Sequence, residues 1–93
     1  MVTFEYEGHE FEIDPANLKD WRVVKVITMI RKNAEPDIFD QIAAISGAFG
    51  EHDDEYAAVL GNDIGKMGGL LGAAIVAINE QGDEDEDTET AKN

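Results

Sequence analysis

Val2-Thr3-Phe4-Glu5-Tyr6-Glu7-Gly8-His9-Glu10-Phe11-Glu12-Ile13 is the stretch that decides the fold. Val2, Phe4 and Tyr6 alternate with Thr3, Glu5 and Glu7, and Phe11 and Ile13 alternate with Glu10 and Glu12. A period of two is the signature of a strand with one buried face. Taking Glu7 and Gly8 as a two-residue turn pairs Tyr6 with His9, Phe4 with Phe11 and Val2 with Ile13, all on one face. The same register sets Glu5 opposite Glu10 on the outer face, a like-charge pair that costs a few tenths of a kcal/mol. An isolated hairpin is marginal in water, so its apolar face requires a cover from the rest of the chain.

Helices supply that cover. Asp14 before Pro15 is one helix-start signal, and Asn17 with Asp20 three residues on is a second. Leu18, Trp21, Val24, Ile27 and Ile30 follow at helical spacing and read as a buried stripe, Trp21 included, with Arg31, Lys32 and Asn33 closing the helix at its negative end. Pro36 opens a second helix with Ile38, Phe39, Ile42 and Ile45 inward and Gly47 or Gly50 at its end. A short segment from Asp53 to Leu60 stops at Gly61. A last helix, from about Asp63 to Asn79, carries Ile64, Met67, Leu71, Ala74, Ile75 and Ile78 on one stripe. The expected class is therefore α+β and mainly helical: an N-terminal β-hairpin packed on a small bundle of three to four helices over residues 1–80, then a disordered acidic tail over residues 81–93.

The composition fits one small domain. The chain has 93 residues, 21 acidic and 7 basic, a formal charge of −14 and no cysteine. Apolar residues at 43%, with four Phe, two Tyr and one Trp, are enough for a core. A sequence pI near 4.1 argues against nucleic acid and anionic membranes, both of which are met by basic patches, and points to protein partners. Glu5 and Glu7 stand where a secretory signal needs positive charge and an apolar run, so a cytosolic protein is expected. Asp83, Glu84, Asp85, Glu86 and Asp87 have nothing apolar to bury and repel one another, hence the expected tail. An EF-hand reading of Asp83, Asp85 and Asp87 fails because Thr88 stands where the loop needs glycine.

No motif supplies chemistry. Gly61-Asn62-Asp63-Ile64-Gly65-Lys66-Met67 looks like a phosphate loop, but three residues separate the glycines where four are needed, and Met67 replaces the hydroxyl that binds magnesium. His52, Asp53, Asp54 and Glu55 are consecutive, so they point around a helix rather than at one metal. His9 reads as a strand-end residue. Ser46 lies in no nucleophile elbow and no HExxH occurs. The expectation is a protein without catalytic residues, cofactor or metal.

The glycines of the last helix are the more informative feature. Each of Gly65, Gly68, Gly69 and Gly72 costs a helix about 1 kcal/mol against alanine, so the set needs a reason. At spacings of three and four they form, with Ala73 and Val76, a smooth strip that another backbone can approach. The apolar run from Met67 to Ile78 is 12 residues, short of the ~20 that span a bilayer, which excludes a transmembrane GxxxG contact. Two readings stay open: packing against the first long helix, or an interface for a partner or a second copy, with Gly65, Gly68, Gly69, Gly72 and Val76 as the candidate contact residues.

The order of elements resembles a family. A small acidic protein that opens with VTFEYEGHEFEI, passes through Leu18-Lys19-Asp20-Trp21 into a helix, and ends in small helices and a polar tail is similar to the tail assembly chaperones of long-tailed bacteriophages. The resemblance spans residues 2 to about 79; the glycine-rich last helix departs from the family's more charged pattern. It implies a helical, non-catalytic chaperone in the host cytoplasm, absent from the mature virion, that binds the tape measure protein and keeps it soluble during tail assembly, with the tail tube protein as a further candidate partner. The alternative function class is an acidic inhibitor or DNA mimic acting on a host protein, for which the carboxylates would have to be arrayed over the folded surface.

Overall fold

Strands β1 (Val2–Tyr6) and β2 (His9–Ile13) pair antiparallel in the register that the alternation predicts, Val2 opposite Ile13, Phe4 opposite Phe11 and Tyr6 opposite His9. Glu5 does face Glu10. The computed structural model describes residues 1–80 in full and the backbone of residues 81–90. Glu7 (φ 51°) and Gly8 (φ 79°) both take the left-handed conformation, as a two-residue turn with the twist of its strands requires. Val2, Phe4, Phe11 and Ile13 are all buried. Phe11 meets Phe4 with ring centroids 6.0 Å apart and Tyr56 edge-on at 5.0 Å. The Tyr56 hydroxyl donates to the Glu12 carbonyl at 3.1 Å, fixing the second strand to the helical layer.

Of the two start signals after the hairpin, the first is used as expected and the second is shifted from Asn17 to Asp20. Asp14 accepts from the Ala16 N–H and caps a short 3₁₀ turn, Pro15–Lys19. Asp20 then accepts from the Arg22 N–H at 2.8 Å and caps helix α1 (Trp21–Arg31). Asn17 caps nothing; its amide donates to the Ala48 carbonyl at 2.8 Å and ties the 3₁₀ turn to the next long helix. Asn33 (φ 60°) ends α1, with its N–H on Ile30 O and the Ala34 N–H on Met29 O, a Schellman closure.

Helix α2 (Ile38–Phe49) is capped by Asp37, which accepts from the Asp40 N–H, and Pro36 stands just ahead of the cap. It ends at Gly50 (φ 60°), so of the two glycines expected to stop it Gly50 does so. Gly47 is interior and buried, where a side chain would press on the Asp20 carboxylate. A 3₁₀ turn, Gly50–His52, leads into helix α3 (Asp53–Val59), and Gly61 (φ 78°) closes it with the Asn62 N–H on Ala57 O. Helix α4 (Ile64–Thr90) follows. The expectation of a disordered tail falls on residues 81–93, outside the fully described part of the chain.

The core lies where the apolar face of the hairpin meets α1, α2 and α4. Ile13, Val23 and Leu70 are its fully buried large side chains, with Val26, Ala44, Ile45, Ala48, Phe49, Leu60, Met67, Leu71 and Ala74 around them. This corrects the expected inward faces of three helices. Trp21 is 75% exposed and Val24 and Ile30 are exposed as well. Residues three apart drift by about 60° per step around a helix, so the stripe from Trp21 to Ile30 winds halfway round it. The face that stays inward is Val23, Val26 and Ile27. On α2, Ile38, Phe39 (78% exposed) and Ile42 look outward while Ala44, Ile45, Ala48 and Phe49 look in. Small residues on the inward face let that helix sit close to its neighbours, and the bulkier side chains of its first turns are left on the surface. On α4, Ile64 is partly exposed, and Leu70, which the expected stripe omits, is fully buried.

Candidate protein-docking face

The four glycines of α4 divide by what lies over them. At Gly69 a β-carbon would collide with the Tyr6 ring and hydroxyl, so this glycine seats the hairpin on the helix and belongs to the fold. At Gly65 a β-carbon would come 3.1 Å from the Asp63 carboxylate, which caps the helix by accepting from the Lys66 N–H. At Gly68 and Gly72 it would meet nothing within 4 Å. Of the two open readings, internal packing therefore holds for Gly69, and against the hairpin rather than α1.

Gly68 and Gly72 border an apolar groove between α1 and α4, floored by α2. Val26, Ile27 and Ile30 form one wall, Leu71 and Ile75 the other, and Ile45 lies beneath, around a volume of about 270 Å³. Pro36 and Gln41 close it, and the Gln41 amide donates to the Pro36 carbonyl at 3.0 Å, so that polar group is already partnered. No charged side chain lines the groove. Exposed Ile30 forms a lip, and Val76, 55% exposed, extends the α4 surface one turn beyond Gly72. A groove that is apolar and lacks Cβ atoms at Gly68 and Gly72 on its border can take a helix at close approach.

A second cleft of about 190 Å³ lies between α2, α3 and the start of α4. Its apolar part is Ile42, Ile45, Ile64 and Met67, and Asp53, Asp54 and Asp63 stand at its edge. Ser46 donates to Asp53 at 2.8 Å, a pair without a histidine base, so the serine has no route to a nucleophile. His52 approaches Glu55 at 3.3 Å and stacks on Tyr56, ring centroids 5.8 Å apart. Among the described residues no three His, Cys, Asp or Glu converge as metal ligands, and no helix is long and apolar enough to cross a membrane.

Charge is unevenly spread. Lys19, Arg22, Lys25, Arg31 and Lys32 lie on or beside α1, while Glu5, Glu7, Glu10, Glu12 and the carboxylates of residues 51–55 mark the hairpin and α3. Hydrogen bonds from the Arg22 guanidinium, and from its N–H, hold the Asp20 carboxyl down at about 2, with the guanidinium charge adding to the effect. Lys25 reaches Asp40 at 3.4 Å, linking α1 to α2.

The exposed Trp21 and Phe39 are the surface features that the sequence reading placed in the core. A stricter helical stripe through Val23, Val26 and Ile27 was the available signal for Trp21. No protein family, curated protein or solved structure matches the chain.

Proposed function

We propose that this protein is a non-catalytic tail assembly chaperone of a long-tailed bacteriophage, binding an apolar helical segment of the tape measure protein and keeping it soluble in the host cytoplasm. The observation that carries the reading is the uncharged groove bordered by Gly68 and Gly72, whose open glycines leave room for a client helix. Such a helix would lay one apolar stripe into the groove, as amphipathic helices do in other grooves. The net charge of −14 favours the solubility of a protein that displays apolar surface. The resemblance of the hairpin and the Asp20-Trp21 helix start supplies the identity of the client. A DNA mimic is less well supported, because five of the seven basic residues cluster at α1 instead of leaving an unbroken acidic surface.

The test is co-expression with a phage tape measure protein, sought as a long helical open reading frame near this gene. The client should become soluble and co-purify, and the complex should survive raised salt, because apolar contacts are not screened. Gly72→Leu should abolish the rescue while the chaperone stays folded. A client that stays insoluble, or rescue untouched by Gly72→Leu, would reject the assignment to this groove.

A further inference from the structure

We infer that the protein also self-associates head to tail, with Trp21 on α1 of one copy inserting into the acid-rimmed cleft between α2, α3 and α4 of the next. The two surfaces match in apolar character and in the sign of their charges. Trp21 is the only tryptophan, it is 75% exposed, and Val24 is on the next turn. Lys19 ends the 3₁₀ turn just before it, and Lys25, in a 3.4 Å contact with Asp40 of its own chain, lies one turn on. The cleft offers Ile42, Ile64 and Met67 to an aromatic ring and carboxylates at its edge to the neighbouring cations. An indole N–H can only donate, and a carboxylate can only accept. Asp54 accepts no hydrogen bond among the described residues, and Asp63 is engaged through one oxygen only, so the rim holds acceptors for it.

The contact has to be between copies. Asp40 and Gly47 mark the side of α2 that faces α1, through Lys25 and through the Asp20–Arg22 pair. Ile42 and Ser46, on another side of α2, line the cleft. A chain thus cannot fill its own cleft with its own Trp21. Because donor and acceptor surfaces differ, a bound pair keeps one Trp21 and one cleft unused, and the assembly grows into a ring or a filament rather than stopping at a symmetric dimer. This inference does not rest on the identity of any client, and its surfaces are separate from Gly68 and Gly72.

The full chain would be followed by sedimentation up to millimolar concentration near physiological ionic strength, where screening over about 8 Å mutes the net repulsion but not contact pairs. The average mass should rise with concentration while Trp21 emission moves to shorter wavelength. Trp21→Ala and Ile42→Glu, both at exposed positions, should keep the wild-type circular dichroism and weaken self-association by about tenfold or more, as loss of an interface anchor does. Mixing the two variants is decisive. Trp21→Ala retains an intact cleft and Ile42→Glu retains Trp21, so the mixture should form a one-to-one dimer that grows no further, with a blue shift of the remaining tryptophan. A wild-type chain that stays monomeric, a Trp21→Ala variant that assembles like wild type, or folded variants that ignore each other would overturn the inference. Client solubility should be unchanged in Trp21→Ala, which separates this result from the groove assignment.

Discussion

The ring of Tyr6, at the turn end of β1, occupies the space in which a side chain on Gly69 of α4 would stand. One residue pair thus decides how closely the hairpin sits on the helix that covers it. Gly69→Ala should destabilise the domain by about 1–2 kcal/mol, the overpacking cost less the helix-propensity gain. Gly72→Ala, with open space around it, should instead stabilise by up to about 1 kcal/mol. Urea unfolding of the two variants checks the contrast, and equal effects would mean that Tyr6 moves aside freely.

Leu70 and Trp21 reverse the usual expectation that the larger side chain carries more of the stability. Leu70 is fully buried, so Leu70→Ala should cost about 2–5 kcal/mol, a large share of the stability of so small a domain. Trp21→Ala should stay within about 0.5 kcal/mol of wild type, since little of the indole is buried by the fold. Thermal midpoints of both variants are the measurement.

That reversal marks where the sequence stops being legible. The hairpin register is local information: alternation of side chains and a Glu7-Gly8 turn leave one pairing that buries Val2, Phe4, Phe11 and Ile13 together. The ends of α1 and α3 are local too, because Asp20, Asn33 and Gly61 act within a turn of themselves. Which side of a helix faces the core is settled by neighbours distant in sequence. Trp21 and Val23 are both apolar and lie on opposite sides of α1, and a helix rotated by about half a turn would have buried the first and exposed the second. Gly69 and Gly72 likewise stand on adjoining lines of the same helix, and only the placement of Tyr6 tells them apart.

The hairpin carries two correctable costs. Glu7 holds a positive φ of 51° without being glycine or asparagine. Glu7→Asn should stabilise by up to about 1 kcal/mol, since asparagine adopts the left-handed region more readily. The Glu7–Lys66 contact that it removes, at 3.9 Å and exposed, contributes little. Independently, Glu5→Lys turns the like-charge pair with Glu10 into an attractive one and should add about 0.2–1 kcal/mol. Additive gains in the double variant, read by chemical denaturation, would show that turn and pair act separately.

Asp20 sets a pH dependence that can be isolated. Arg22 donates to its carboxylate from Nε and Nη2, both at 2.9 Å, and from the backbone N–H, and the pair packs beside buried Gly47. These bonds lower the carboxyl from 3.8 to about 2 in the folded state. A depressed folded value means that the unfolded chain takes up the proton first as pH falls. The contribution of Asp20 is therefore fully present above about pH 4, declines as pH falls from there, and is gone below about pH 2. Acidification also neutralises the other carboxylates and relieves the repulsion of a chain at −14, so the raw midpoint of the wild type mixes opposing trends. Asp20→Asn keeps an oxygen to cap α1 but cannot titrate. The midpoint difference between wild type and Asp20→Asn should be constant above about pH 4 and shrink toward pH 2. A difference that stays flat across that range would show that Arg22 does not hold Asp20 in solution, and would leave the cap alone as the role of this residue.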